Sequence, residues 1–145
     1  MAFKLFIDSD VVIDFFTDRE PHANPASELF DLREKGKVIL FLSALSINNI
    51  YYIVRKFLGH TKALEVIETL TEMTEIIGTT KKEVIQALKN DFKDFEDSVQ
   101  YSSALTISGL DAIITRNIKD YRNSEIAVMK PLNFLKMKEI NESKS

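Results

Sequence analysis

The sequence predicts a single α/β domain built on a mostly parallel sheet with helices on both faces, a three-layer α/β/α arrangement. Three observations carry this. Short apolar runs of the fully buried kind recur along the chain, with residues 1–7 and 38–42 the clearest. Longer stretches with helically spaced apolar residues lie between them, and this alternation is the order that produces right-handed crossovers and a parallel sheet. Finally, 145 residues with a hydrophobic fraction of 45%, ten Phe and little Gly or Pro can bury one core, and no repeat, low-complexity tract or linker interrupts them.

The elements follow in order. Phe3 to Asp8 reads as a strand, and Val11 to Thr17 as a helix that breaks at the turn Asp18-Arg19-Glu20-Pro21. Ala26 to Lys35 carries an apolar stripe of Leu29, Phe30 and Leu32 and is stopped by Gly36. Val38 to Leu42 is a buried strand, after which Ser43 or Ser46 caps a helix running to about Phe57, before Gly59. Ala63 to Met73 is expected as helix, Glu75 to Ile77 as a short strand and Lys81 to Leu88 as helix. Asp94 to Ile107 should be helical and end at Gly109, followed by strands over Asp111 to Thr115 and Glu125 to Met129. Pro131 then opens a last helix.

Composition narrows the function classes. The chain has no Cys, which excludes disulfides, thiolate zinc sites and cysteine nucleophiles. A net charge of -3 gives no global basic field, so a polyanion would have to be drawn in by local Lys and Arg or by bound metal. No apolar stretch reaches membrane-spanning length, and Lys4, Asp8 and Asp10 interrupt any signal-peptide core, so a cytoplasmic location without membrane contact is expected. The two His, His22 and His60, fall in turns away from the acidic segments, which leaves a serine–histidine or histidine–metal mechanism poorly supported.

The chemistry is expected at acidic residues on the carboxyl ends of strands, where ligands collect in parallel α/β folds. Asp8 stands where the first strand hands over to a helix; a capping role is the plain alternative, and Asp10 could equally cap. Asp14, one turn further, is expected to face solvent. Asp94 and Asp97 share one face of a helix's first turn, where acids also complement the helix dipole. Thr115, Asn117 and Asp120 follow a strand end, with an ordinary turn as their plain reading. Ser46, Asn48 and Asn49 open an otherwise apolar helix, either as caps and surface polarity or with an amide aimed at the same cleft. Carboxylates gathered at one edge repel one another unless a cation offsets them, and a divalent metal is the natural candidate. Arg55, Lys56, Arg116 and Lys119 are candidate phosphate contacts, against the commoner reading of a solvated face.

Four blocks in fixed order resemble a known family: residues 6–14, residues 42–52, Asp94-Phe95-Glu96-Asp97 with Ala104, and residues 114–121. Together they are similar to the PIN-domain family of metal-dependent ribonucleases, which includes VapC-type toxins. The resemblance implies a PIN-like five-stranded parallel sheet over residues 1–137, with a frayed C-terminal tail at 138–145. It implies acids at the end of the first strand (Asp8), in the helix after the second, at the start of the helix before the fourth (Asp97) and after the fourth. The second and fourth positions fall on Asn49 and Asn117, neutral amides in place of charged oxygens. A Mg²⁺ or Mn²⁺ site would then rest on Asp8, Asp97 and Asp94, with Asp10, Thr115 and Asp120 in support and Asn49 and Asn117 positioning water or phosphate. The implied activity is hydrolysis of RNA phosphodiester bonds, with an antitoxin as partner and a homodimer as assembly. Two alternatives stand beside it: a catalytically impaired PIN-like domain that binds RNA or protein, motivated by the two Asn, and a HAD-like phosphatase in which Asp8 is phosphorylated and Asp10 is the acid/base.

Overall fold

In the computed structural model, which describes residues 1–144 and side chains through Glu139, the chain forms five strands and seven α-helices. They run β1 (Phe3–Ile7), α1 (Ser9–Phe16), α2 (Ala23–Glu34), β2 (Val38–Ser43), α3 (Ala44–Leu58), α4 (His60–Met73), β3 (Glu75–Ile77), α5 (Lys81–Lys89), α6 (Phe95–Ala104), β4 (Ala112–Ile114), β5 (Val128–Met129) and α7 (Pro131–Lys144). A short 3₁₀ turn, Ile118–Tyr121, follows β4. The sheet order is β3-β2-β1-β4-β5 and every pairing is parallel. The fold class expected from the sequence is therefore the one observed.

Both faces of the sheet are covered, because each strand presents apolar side chains alternately up and down. On one face Leu5 and Ile7 of β1 join Val12, Leu29, Leu40, Ile50 and Phe134 in the larger core. On the other, Phe6 packs with Tyr101, Ile113 and Tyr121 under α6 and the 3₁₀ turn.

Element boundaries moved for local reasons. α2 begins three residues earlier than the stripe suggested, at Ala23, and buries that alanine as well as Ala26. α3 begins where Ser43 accepts a hydrogen bond from the Leu45 amide, so the first of the two candidate caps is used. α6 ends at Ala104, and β5 is reduced to Val128–Met129 at the sheet edge. α7 is helical through Lys144, across most of the segment where fraying was expected; Ser145 lies outside the described residues.

Candidate active site

The chain order reverses between β1 and β4, which are adjacent in the sheet, and such a switch point opens a crevice at the strands' carboxyl ends. Ile7 is level with Ile114, so the residues that follow, Asp8 and Thr115, emerge side by side. The Asp8 amide continues the ladder by donating to the Ile114 carbonyl at 2.9 Å. Its side chain caps α1, accepting from the Ser9 amide at 2.7 Å, while the other oxygen accepts from the Thr115 hydroxyl at 3.0 Å. Capping and site geometry are thus one arrangement, not alternatives.

Asp10 points to the same segment. One of its oxygens, Oδ2, accepts from the Arg116 amide at 3.2 Å, the Asn117 side-chain amide at 3.0 Å and the Thr115 hydroxyl at 3.4 Å. The other, Oδ1, is buried and has no hydrogen-bond partner. Asp14 departs from its expected solvent-facing place. It is buried, because Arg116, distant in sequence, reaches back to pair with it.

The opposite wall comes from α6. Asp94 caps this helix by accepting from the Asp97 amide at 3.0 Å, and Asp97 sits half-buried on its first turn. Asp91, Asp94, Asp97 and Asp120 line a cavity of about 330 Å³ together with the cations Lys93, Lys119 and Arg122.

Electrostatics tie the two walls together. Asp97 is raised to about 7, first by burial and then by the charges of Asp94, Asp120 and Asp8. Asp8 is raised by burial, against the pull of the Thr115 hydroxyl, and the charge of Asp120 adds to the rise. Asp10 is raised to about 6 by burial and by Asp8. The buried phenol of Tyr121, whose hydroxyl makes no well-formed hydrogen bond, is pushed up by burial and by these same carboxylates. Burial leads in each case and neighbouring carboxylate charge adds to it, a condition that a bound cation relieves.

The donor set suits a hard divalent ion, since it consists of carboxylate oxygens with one of them, Asp10 Oδ1, left without a partner in the protein. Among the described residues no three acidic or His side chains converge as a ready-made metal cage. Mg²⁺ usually takes only one or two carboxylates and fills its other positions with water, so it does not require such a cage.

The remaining candidates are placed unevenly. Asn49 donates to the Ser9 hydroxyl at 3.3 Å, beside the Asp8 turn, and Asn117 holds Asp10. Lys119 lies on the acidic cavity, whereas the Arg116 guanidinium is engaged by Asp14. Arg55 and Lys56 occupy the last turn of α3, roughly 17 Å along the helix from the end that borders the crevice. Sequence reasoning gave no role to Lys93, Tyr121 or Arg122; the signal was their position within two residues of the acids Asp94 and Asp120.

The family model described as PIN domain matches residues 4–119. The chain belongs to the PIN-domain family. This PIN-domain chain is also similar in fold to solved VapC-type proteins at low identity. The chain of DNA-bound VapBC from Salmonella typhimurium is 18% identical with a TM-score of 0.66, covering 89% of this chain and 98% of that one. A toxin–antitoxin complex from Klebsiella pneumoniae gives 17% identity and a TM-score of 0.65, covering 88% and 97%. Mycobacterium tuberculosis VapC20, a sarcin–ricin loop cleaving toxin, gives 13% identity and a TM-score of 0.60, covering 75% and 86%. No curated protein matches the sequence. Membership in the PIN family leaves the phosphatase reading of Asp8 and Asp10 without support.

Proposed function

We propose that this PIN-domain protein is a Mg²⁺- or Mn²⁺-dependent endoribonuclease acting as the toxin of a toxin–antitoxin pair. The observation that carries the reading is the meeting of acids at the switch point: the Asp8 and Asp97 carboxyls are both raised, first by burial and then by neighbouring carboxylates that include Asp120, with Asp97 raised to about 7. Such frustrated carboxylates mark functional sites because folding alone does not repay them.

In this reading Asp8 and Asp97 hold the ion, with Asp94 and Asp120 adding negative charge and Asp10 behind. A divalent ion there supplies Lewis acidity, activates water at neutral pH and offsets the phosphate charge. The protein's own residues do the positioning. Thr115 fixes one Asp8 oxygen, and the Ser9 amide fixes the other. Asn117 and the Arg116 amide orient Asp10. Lys93, Lys119 and Arg122 at the cavity rim attract the RNA backbone, and unpaired RNA suits a narrow cleft better than a duplex. The similar chains from Salmonella and Klebsiella come from toxin–antitoxin assemblies, which supports an antitoxin as partner.

A binding domain without catalysis is the second reading. It is favoured by Asn49 and Asn117, whose amides bond Ser9 and Asp10 and bring no charge to the site. Purified protein incubated with single-stranded RNA and Mn²⁺ separates the two. Cleavage that EDTA stops and that Asp8→Asn and Asp97→Asn each abolish supports the nuclease. RNA binding with no cleavage supports the binding domain, and cleavage undiminished in both variants assigns the activity to a contaminant.

A further inference from the structure

Tyr121 closes the 3₁₀ turn after β4 and is 1% exposed, yet its hydroxyl makes no well-formed hydrogen bond among the described residues. Taking a phenol hydroxyl out of water without a partner opposes folding, and a phenylalanine would fill the same place without that cost. The ring itself is accounted for. It packs with Phe6, Tyr101 and Ile113 and meets the Phe92 ring edge-on at 6.1 Å between centroids. None of these contacts uses the hydroxyl.

The alternation along β1 and β4 shows what the hydroxyl is near. Phe6 is level with Ile113, and both pack on Tyr121. Two residues further, Asp8 and Thr115 extend the ladder through their amides, so their side chains face the same side of the sheet as Phe6 and Ile113. A ring laid on that first pair has the second pair as its next neighbours toward the carboxyl edge. Accordingly, burial raises the Asp8 carboxyl while donation from Thr115, the Ser9 amide and Tyr121 pulls it back. Burial, with the charges of Asp8, Asp97, Asp10 and Asp120, holds the phenol protonated, so toward a carboxylate it can only donate.

A carboxylate has about four acceptor positions, two on each oxygen. Asp8 Oδ1 takes the Ser9 amide at 2.7 Å and Oδ2 takes the Thr115 hydroxyl at 3.0 Å. A third donor would leave roughly one position open.

We propose that Tyr121 is a positioning residue: its hydroxyl donates to Asp8 and, with Thr115 and the Ser9 amide, fixes the direction in which that carboxylate meets a divalent ion. The inference rests on the reading of Asp8 as a metal ligand and does not depend on RNA cleavage.

Tyr121→Phe keeps the ring and removes only the hydroxyl. Calorimetric titration should show Mn²⁺ binding several-fold weaker in the variant, while its melting temperature in EDTA is unchanged or higher. The chain has four Tyr and no Trp, so the long-wavelength edge of its near-ultraviolet spectrum reports tyrosine. Adding Mg²⁺ to the wild type should produce a tyrosine difference band that Tyr121→Phe lacks, which a packing role alone would not give. Wild-type Mn²⁺ affinity with the same difference band in the variant, or a lower melting temperature in EDTA, assigns the hydroxyl to packing and overturns the proposal while leaving the metal site standing. No Mn²⁺ or Mg²⁺ binding by the wild type overturns the metal site and the proposal with it. Tyr121-dependent Mn²⁺ binding without RNA cleavage would keep the positioning role and sink the nuclease.

Discussion

The Arg116 guanidinium grips the Asp14 carboxylate at two points, Nε to Oδ2 at 2.5 Å and Nη2 to Oδ1 at 3.2 Å. Asp14 is 1% exposed and Arg116 26%. The pair ties the middle of α1 to the segment that follows β4, and the same segment delivers the Thr115 hydroxyl to Asp8 and the Asn117 amide to Asp10. A tie between elements distant in sequence therefore sets the geometry of the candidate site.

Removing one partner of that pair should be costly, because the other charge stays buried. Arg116→Ala is expected to lose about 3 kcal/mol in urea unfolding, with only the longer Arg19 contact left to Asp14. Replacing both, Asp14→Leu with Arg116→Met, should recover most of the loss. A cost below about 1 kcal/mol for Arg116→Ala would mean that Arg19 or water satisfies Asp14 alone.

Stability should fall as pH rises from about 4 to about 7 in EDTA. Asp97 and Asp10 hold their protons in the folded state to about 7 and about 6, against the usual 3.8. Between those values the native state binds more protons than the unfolded chain, so raising the pH favours unfolding, and the effect levels off above the folded values. Melting temperatures measured between pH 5 and 8 should show the decline, Asp97→Asn should flatten it, and Mn²⁺ should reduce it. A wild-type profile that rises across this window would contradict the electrostatic account of the site.

Asn49→Glu restores a charged oxygen at the edge of the Asp8 turn, where the amide now reaches the Ser9 hydroxyl. The expected result is several-fold tighter Mn²⁺ binding by calorimetric titration. An unchanged titration would place Asn49 outside the metal's reach.

A homodimer is expected through α3 and α4. Ile50 and Val54 are buried in the core, and Ile47, Tyr51 and Ile53 pack against it, yet Tyr52, Phe57, Leu58 and Leu64 stay exposed. An exposed group of large apolar side chains of this kind usually marks an interface. Sedimentation at micromolar concentration should give twice 16.6 kDa, falling toward the monomer in Phe57→Glu. A wild-type monomer would leave these aromatics as surface residues.

Much of the fold was legible because its signals are local. The buried runs Phe3–Ile7 and Val38–Ser43, the Ser43 cap and the Gly36 stop all lie within a few residues of what they control. The places of Asp8 and Asp97 were legible for the same reason: a strand end and a helix's first turn can be read from the sequence. Asp14 could not be read, because its burial depends on a guanidinium that arrives from 102 residues further along the chain. Nor could the bonding of Asn117 to Asp10, which needs the register of β1 against β4. Where partners are distant in sequence, periodicity carries no information about them.

The alternation along β1 has a consequence for how errors in folding would be felt. Leu5 and Ile7 serve one core and Phe6 the other, and Asp8 emerges at the next step. A slip of one residue against β4 would turn every side chain to the opposite face. It would bury neither core correctly and would carry the Asp8 carboxylate away from Thr115. A mispaired chain is thus disarmed by the same displacement that makes it unstable, and only correctly registered molecules can present the acid at all.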